Sequence, residues 1–424
     1  MPHLYRLFLL TLAFCGLQAT SHAQTGPIAQ GKPKFLGNIF SSAQLPGFNQ
    51  YWNQVVPENA GKWGSVENTR DVMNWTELDA AYKLAKDNGY PFRMHVLVWG
   101  NQQPAWIETL SSAEQLEEIK VWFEAVAQRY PAIDFLEVVN EPINDPPTTP
   151  GSGGGNYAKA LGGSGASGWE WVVASFRLAR QYFPKTTKLM INEYSLTNSS
   201  SRAATYVGII NLLKAENLID AVGIQGHYFS TKGIANPTLT SNLNLIAATN
   251  LPIYITEMDI DDRAGTQPPA NQTVADQYQL DEYKRIFPLF WEHPSVRGIT
   301  LWGYRPGMWR TEQGANLIRS NGEERPALTW LRAYVAATLT ASKEEALPTW
   351  QVYPNPVTQQ RLIFTGLGKK SLLSIVDMKG TLLKKMEVKG LAAQEEIALD
   401  LPPGMYILRV QQGDLVATRK VVVQ

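Results

Sequence analysis

Thiol chemistry is nearly absent from this chain, whose 424 residues include a single cysteine, Cys15. Cys15 sits in an apolar run from Leu7 to Leu17, behind His3 and Arg6 and ahead of Ser21-His22-Ala23, the layout of a signal peptide spanning residues 1–23. The expected mature protein has no disulfide and no nucleophilic thiol, so a large core must hold it together. Eleven apolar residues fall short of the roughly 20 needed to span a bilayer, so no transmembrane segment is expected. Charge of one sign is also missing. Lys+Arg and Asp+Glu stand at 38 each, which gives no field to attract nucleic acid or an anionic membrane. Histidine is scarce, and only His95, His227 and His293 follow the signal peptide, none at ligand spacing, so no zinc is expected. The acidic cluster Asp259, Asp261 and Asp262 lacks the glycine and distal glutamate of a calcium loop and reads as a solvated loop. Neither metal nor cofactor is therefore expected.

What the chain has is apolar bulk and indoles. With 44% hydrophobic and 18% charged residues it can bury a sizeable core. Its 13 tryptophans exceed ordinary usage, and rings not needed for the core suit weakly polar ligands such as sugars.

From about residue 31 to 338, short runs apolar on both faces alternate with segments of helical period. The runs are Phe35 to Phe40, Tyr51 to Val56, Phe92 to Trp99, Phe135 to Asn140, Lys188 to Glu193, Ala221 to Tyr228, Ile253 to Glu257 and Gly298 to Trp302. Helices are expected after Asn74 as far as Gly89, after the capping box Ser111-Ser112-Ala113-Glu114, and over Trp169 to Phe183. Eight alternations predict an α/β fold, a (β/α)8 TIM barrel. An open doubly wound sheet is the alternative, but no Gly-rich phosphate loop follows an early strand. Residues 145–168 form a long Gly-rich loop after the fourth strand. A polar linker, 339–350, with Ser342-Lys343-Glu344-Glu345, leads to 351–424, where alternating strands and turns such as Met378-Lys379-Gly380 predict a small all-β sandwich.

In a barrel, chemistry is carried at the C-terminal strand ends. Those ends hold Glu58, Asn59 and Lys62 after the second run, His95, Trp99 and Gln102 on and after the third, and Asn140 and Glu141 on the fourth. The sixth carries Gln225 and His227, the seventh ends at Glu257, and the eighth ends at Trp302 with Trp309 nearby. A lone glutamate there is usually a solvated or capping group. Six strands sending carboxylates, amides, imidazoles and indoles to one rim match the needs of a sugar-cleaving cleft.

Pro57-Glu58-Asn59 with Lys62-Trp63, Arg93-Met94-His95 leading to Trp99 and Gln102, Val139-Asn140-Glu141, Gly223-Ile224-Gln225-Gly226-His227, Ile255-Thr256-Glu257-Met258-Asp259 and Leu301-Trp302-Gly303 together resemble the ordered motifs of glycoside hydrolase family 10, the endo-β-1,4-xylanases. The resemblance implies a retaining mechanism on xylan or xylo-oligosaccharides, with Glu257 as nucleophile, Glu141 as acid/base and their carboxyl groups roughly 5 to 5.5 Å apart. It implies that Asn140 holds a sugar 2-hydroxyl and that His227 bonds the nucleophile. It also assigns Glu58, Asn59, Lys62, His95, Trp99, Gln102, Tyr194, Gln225, Trp302 and Trp309 to substrate binding, in an enzyme expected to be monomeric. The chain departs from the family pattern at Gly100, where a histidine is usual, and at Asn192-Glu193-Tyr194-Ser195, where Asn-Asp-Tyr-Asn is usual. Gln102 or the 145–168 loop is expected to cover the gap at Gly100.

In the tail, Tyr353-Pro354-Asn355-Pro356, the stretch Pro403-Gly404-Met405-Tyr406-Ile407-Leu408-Arg409-Val410 and Lys420-Val421-Val422-Val423 resemble the C-terminal sorting domain of the type IX secretion system. This implies that the secretion machinery is a partner and that the protein is secreted or held at the cell surface. A carbohydrate-binding sandwich is the alternative, disfavoured because Trp350 and Tyr353 are the only aromatics before Phe364 and Tyr406.

Overall fold

The computed structural model describes residues 26–149, 156–338, 350–365, 371–377, 382–388, 394–412 and 415–424. The expected signal peptide, the Ser342 to Glu345 stretch and the Met378-Lys379-Gly380 turn lie outside the described residues.

Eight parallel strands form one sheet: β1 (Phe35–Phe40), β2 (Val55–Pro57), β3 (Arg93–Met94), β4 (Phe135–Asn140), β5 (Lys188–Asn192), β6 (Ala221–Ile224), β7 (Ile253–Met258) and β8 (Val296–Leu301). Their order runs β2-β1-β8-β7-β6-β5-β4-β3, and a parallel bridge between Val55 and Phe92 closes the ring. The strands are buried nearly end to end, as both faces of a barrel wall require. Inside, Phe35, Phe135 and Tyr254 pack ring to ring at 4.7 to 6.0 Å, and Gly298 makes room for them, since a Cβ there would fall 2.4 Å from the Phe35 ring.

The helices open and close where local chemistry favours it. Ser112–Arg129 begins with the complete Ser111/Glu114 capping box, and Thr76–Asp87 is preceded by Asn74, whose Oδ1 accepts from Thr76 N at 3.1 Å. Gly89 leaves that helix at a φ of 67°. Glu170–Tyr182 buries Val172, Phe176 and Ala179 against the barrel.

Three runs are shorter as strands than their apolar length suggests. Phe48–Tyr51 is a helical turn, because Tyr51 and Trp52 pack on Tyr304 instead of pairing, and only Val55–Pro57 enters the sheet. The third run pairs at Arg93–Met94 and rejoins the sheet only at Val98, bridged to Val139. The sixth ends at Ile224 because Gly226, at a φ of 77°, turns the chain into the 3₁₀ turn Tyr228–Ser230.

The tail forms two antiparallel sheets, β13-β10-β9 and β12-β11-β14-β15, from β9 (Gln351–Tyr353), β10 (Arg361–Thr365), β11 (Ser371–Asp377), β12 (Leu382–Val388), β13 (Gln394–Ala398), β14 (Gly404–Gln412) and β15 (Leu415–Val423). Leu362, Phe364, Leu373, Ile375, Leu408 and Val421 share one core, the alternation expected of an all-β unit.

Candidate active site

A cleft of about 500 Å³ opens at the C-terminal strand ends. Every side chain assigned from the sequence to catalysis or substrate binding lines it: Glu58, Asn59, Lys62, His95, Trp99, Gln102, Asn140, Glu141, Tyr194, Gln225, His227, Glu257, Trp302 and Trp309, joined by Asn101 and Phe229.

Glu141 follows β4 at a φ of 53°, a left-handed conformation uncommon for a residue with a side chain. Asn192 O accepts from Glu141 N at 2.8 Å, and Asp145 N donates to Glu141 O at 2.9 Å, so the kink is fixed on both sides. The Glu141 carboxyl accepts from Trp99 Nε1 at 2.7 Å and from Gln225 Nε2 at 2.6 Å. Burial, and after it the negative charge of Glu257, raises its pKa to about 8.

Glu257, on β7, is equally buried but otherwise placed. Its Oε1 accepts from Asn192 Nδ2 at 2.7 Å and its Oε2 lies 3.2 Å from His227 Nε2. Burial pulls its pKa up, but the hydrogen bond and charge of His227, with the charges of His95 and Arg93, outweigh this and hold it at about 2. His227 Nδ1 lies 2.7 Å from Asp259 Oδ2, and although burial favours neutral imidazole, Asp259 and Glu257 raise the ring to about 9. The two glutamates are linked through Asn140 Oδ1, which accepts from Asn192 Nδ2 at 3.1 Å and Gln225 Nε2 at 3.4 Å. The arrangement supplies one protonated and one ionised carboxyl group at neutral pH.

On the β2/β3 side, Lys62 Nζ donates to Asn59 Oδ1 at 2.8 Å and Gln102 Oε1 at 2.6 Å, and lies 5.2 Å from the Trp99 ring centre. Burial lowers the Lys62 pKa, against the pull of Glu257, Glu58 and Glu141, and burial raises that of Glu58. Trp302 meets the His95 ring edge-on at 5.3 Å, and Trp309, half exposed, donates through Nε1 to Asp259 Oδ2 at 3.0 Å.

Beneath the cleft, the fully buried Glu137 accepts from Arg93 Nη1 at 2.5 Å and Asn192 Nδ2 at 2.9 Å, and lies 3.1 Å from His95 Nδ1. Among the described residues His95, Glu137 and Glu257 are the buried set that could hold an ion, but the Arg93 guanidinium already supplies the countercharge to Glu137 and the Asn192 amide donates to both carboxylates. Sequence reasoning did not assign a role to Glu137, although a glutamate and an arginine inside two apolar runs are a readable sign of a buried pair.

The solvated loop expected at Asp259, Asp261 and Asp262 is overturned, for all three are buried. Asp259 holds His227 and the N–H of Tyr228, Asp261 takes Arg310 Nε at 2.7 Å, and Asp262 takes Arg263 Nε at 2.8 Å. Arg263 is the next residue in the chain, but Arg310 and Arg325, whose Nη2 lies 3.5 Å from Asp262 Oδ2, come from far along it, which a local reading of the acidic cluster misses.

Glu193, also fully buried, ties β5 to the turn after Glu141. It accepts from Ile143 N at 2.8 Å, Asn144 Nδ2 at 2.7 Å and Tyr194 N at 2.8 Å, and burial raises its pKa to about 7. Tyr194 OH in turn reaches Asp145 Oδ2 at 3.2 Å. Gly100 is covered by this same loop. Its N–H donates to Asp145 O at 2.9 Å, and an added Cβ would fall 2.2 Å from that oxygen and 2.4 Å from Pro146 O. Gly100→His should therefore push the Asp145–Pro146 backbone outward, lowering stability by roughly 1–3 kcal/mol and altering KM and product pattern on xylo-oligosaccharides through Tyr194. Thermal unfolding and product chromatography check this; unchanged stability and products would contradict the contact.

A profile described as glycosyl hydrolase family 10 matches residues 22–334, and one described as a secretion system C-terminal sorting domain matches residues 351–424. The chain is 41% identical over 301 residues to endo-1,4-beta-xylanase B of Cellvibrio japonicus, covering 70% of this chain but only 45% of that relative. It is 30% identical over 294 residues to endo-1,4-beta-xylanase 2 of Aureobasidium pullulans, covering 65% of this chain and 78% of the relative. Among solved structures, native xylanase 10B from Thermotoga maritima superposes with a TM-score of 0.62 at 23% identity, over 73% of this chain and 97% of that one, a likeness of fold. The matched span takes in all eight strands and both buried glutamates of the cleft, and the chain belongs to glycosyl hydrolase family 10.

Proposed function

We propose that the protein is a secreted, retaining endo-1,4-β-xylanase with Glu257 as nucleophile and Glu141 as acid/base. In the first step a Glu257 oxygen attacks the anomeric carbon while Glu141 gives its proton to the departing glycosidic oxygen, leaving a covalent glycosyl-enzyme. In the second, Glu141, now ionised, takes a proton from water; the water oxygen bonds the anomeric carbon and Glu257 is released. The observation that carries the reading is the division of labour between two buried glutamates in one cleft, His227 and Asn192 holding one ionised while burial keeps the other protonated.

Asn140, its Oδ1 taken by Asn192 and Gln225, has its amide NH₂ to offer a sugar 2-hydroxyl. Glu58, Asn59, Lys62, His95 and Gln102 supply donors and acceptors for other hydroxyls, and Trp99, Trp302 and Trp309 supply ring faces. Xylan as substrate rests on the named activity of the Cellvibrio and Aureobasidium relatives. Residues 31–338 form the catalytic unit, and 351–424, after the 339–350 linker, deliver it through the type IX machinery once the 1–23 signal peptide is removed. No helix among the described residues is long and apolar enough to cross a membrane.

The direct test is reducing-end release from xylan, mannan and cellulose side by side. Release from xylan far above the other two is expected. Equal or greater release from mannan or cellulose would reassign the substrate, and none from any would leave a barrel that binds polysaccharide without cleaving it.

A further inference from the structure

We propose that Phe229, resting on the xylanase reading, is a stacking platform for the sugar on the leaving-group side of the scissile bond and sets how strongly the enzyme depends on a sugar there. Glu141 on β4 and Glu257 on β7 split the rim into two halves. The β2/β3/β8 half is dense in groups that bond hydroxyls, among them Lys62, Asn59 and Gln102. The sugar that stays attached to Glu257 between the two steps needs that tight, directional hold. The β5/β6 half offers mainly rings. Tyr194 and Phe229 meet edge to face at 5.8 Å, and Trp309, from the chain after β8, approaches Phe229 to 6.3 Å from the other half. Ring faces give non-directional contact, suited to a fragment that must leave and be replaced by water before the second step.

Phe229 is 42% exposed although its neighbours Tyr228, Ser230 and Thr231 are all buried. The turn that presents it is pinned: Tyr228 N donates to Asp259 Oδ1 at 2.8 Å, Ser230 Oγ to His227 O at 2.7 Å, and Lys232 N to Tyr228 O at 2.7 Å. A phenyl ring held rigidly into the cleft with one side open leaves apolar surface wet until a ligand covers it. Its other side leans on the His227 ring, 5.2 Å away and 27° from parallel. The ring could thus act on the sugar directly or through His227, and the experiment separates the two.

The test compares kcat/KM for xylohexaose, whose leaving portion is sugar, with that for β-xylobiosyl fluoride, whose leaving group is a single atom. Phe229→Ala should lose roughly threefold to tenfold on xylohexaose, shift its cleavage positions, and stay within about twofold of wild type on the fluoride. Phe229→Tyr should restore the oligosaccharide rate. Should the alanine variant fail to fold, Phe229→Leu, which keeps bulk without a ring face, replaces it with the same expectation. Equal losses on both substrates would mean that Phe229 acts through His227 and would overturn the proposal, as would no loss on either. A wild type inert on both would instead overturn the xylanase reading, and this inference with it.

Discussion

Glu257→Ala should lose xylan hydrolysis by on the order of 10⁵-fold, the scale on which deleting a nucleophile acts, while the fold persists. The persistence follows from the partners left behind: His227 keeps Asp259 at 2.7 Å, and Asn192 keeps Glu137 and Asn140. If Glu257 is the nucleophile, the vacated space faces the anomeric carbon and lies beside the His227 imidazole, so a small anion such as azide should enter it and restore part of the turnover. Azide attacks from the face that Glu257 would use, the bond to the leaving oxygen breaks as that oxygen takes the Glu141 proton, and the product is an α-glycosyl azide. Product analysis by chromatography and NMR checks both parts. Wild-type-like hydrolysis by the variant, without azide, would remove Glu257 from the mechanism.

Glu141→Ala should cost roughly 10²- to 10⁴-fold on xylan, whose leaving oxygen needs a proton, and far less in the first step on an aryl glycoside whose leaving group does not. The pH dependence carries the same assignment. Glu141 must be protonated to act, and burial together with the charge of Glu257 lifts its pKa to about 8, so kcat/KM on xylan should fall as pH rises through that value. Glu257 must be ionised on this reading, and because the hydrogen bond and charge of His227, with the charges of His95 and Arg93, stabilise its carboxylate, it loses its charge only as pH falls toward about 2. The alanine variant should lose the alkaline limb while its residual activity keeps the acid one. Equal losses on both substrates, or an unchanged alkaline limb, would show that Glu141 is not the acid.

The barrel and most of the cleft were legible because their signals are local. An apolar run followed by a polar residue marks a strand end, and β4 with Asn140-Glu141 or β7 with Glu257 could be placed without knowing what lay across the ring. What escaped depends on partners distant in sequence. Asp259 reads as one of three solvated acids until Gly226 turns the chain and swings His227 onto it, and Arg310 and Arg325 then reach its neighbours Asp261 and Asp262. Phe229 reads as one more apolar residue at the end of a buried run, because its exposure comes from the 3₁₀ turn that ends the strand early. At Gly100, by contrast, the sequence left Gln102 or the 145–168 loop to fill the gap, and the backbone of Asp145 and Pro146 against it shows that the loop does so. The second and third runs were overextended because apolar composition records burial, and burial here comes partly from packing, as for Trp52 on Tyr304, rather than from strand pairing.

The central claim of the proposed mechanism is that Glu257 forms a bond to the sugar that water later displaces from the opposite face, the face the leaving group left. It is tested most directly by following the anomeric protons of the first sugar released from a xylo-oligosaccharide by NMR, before mutarotation mixes the two forms. Two inversions at one carbon predict that the β-anomer appears first and the α-anomer grows in only at the rate of mutarotation. An α-anomer appearing first would mean a single displacement by water and would contradict the account.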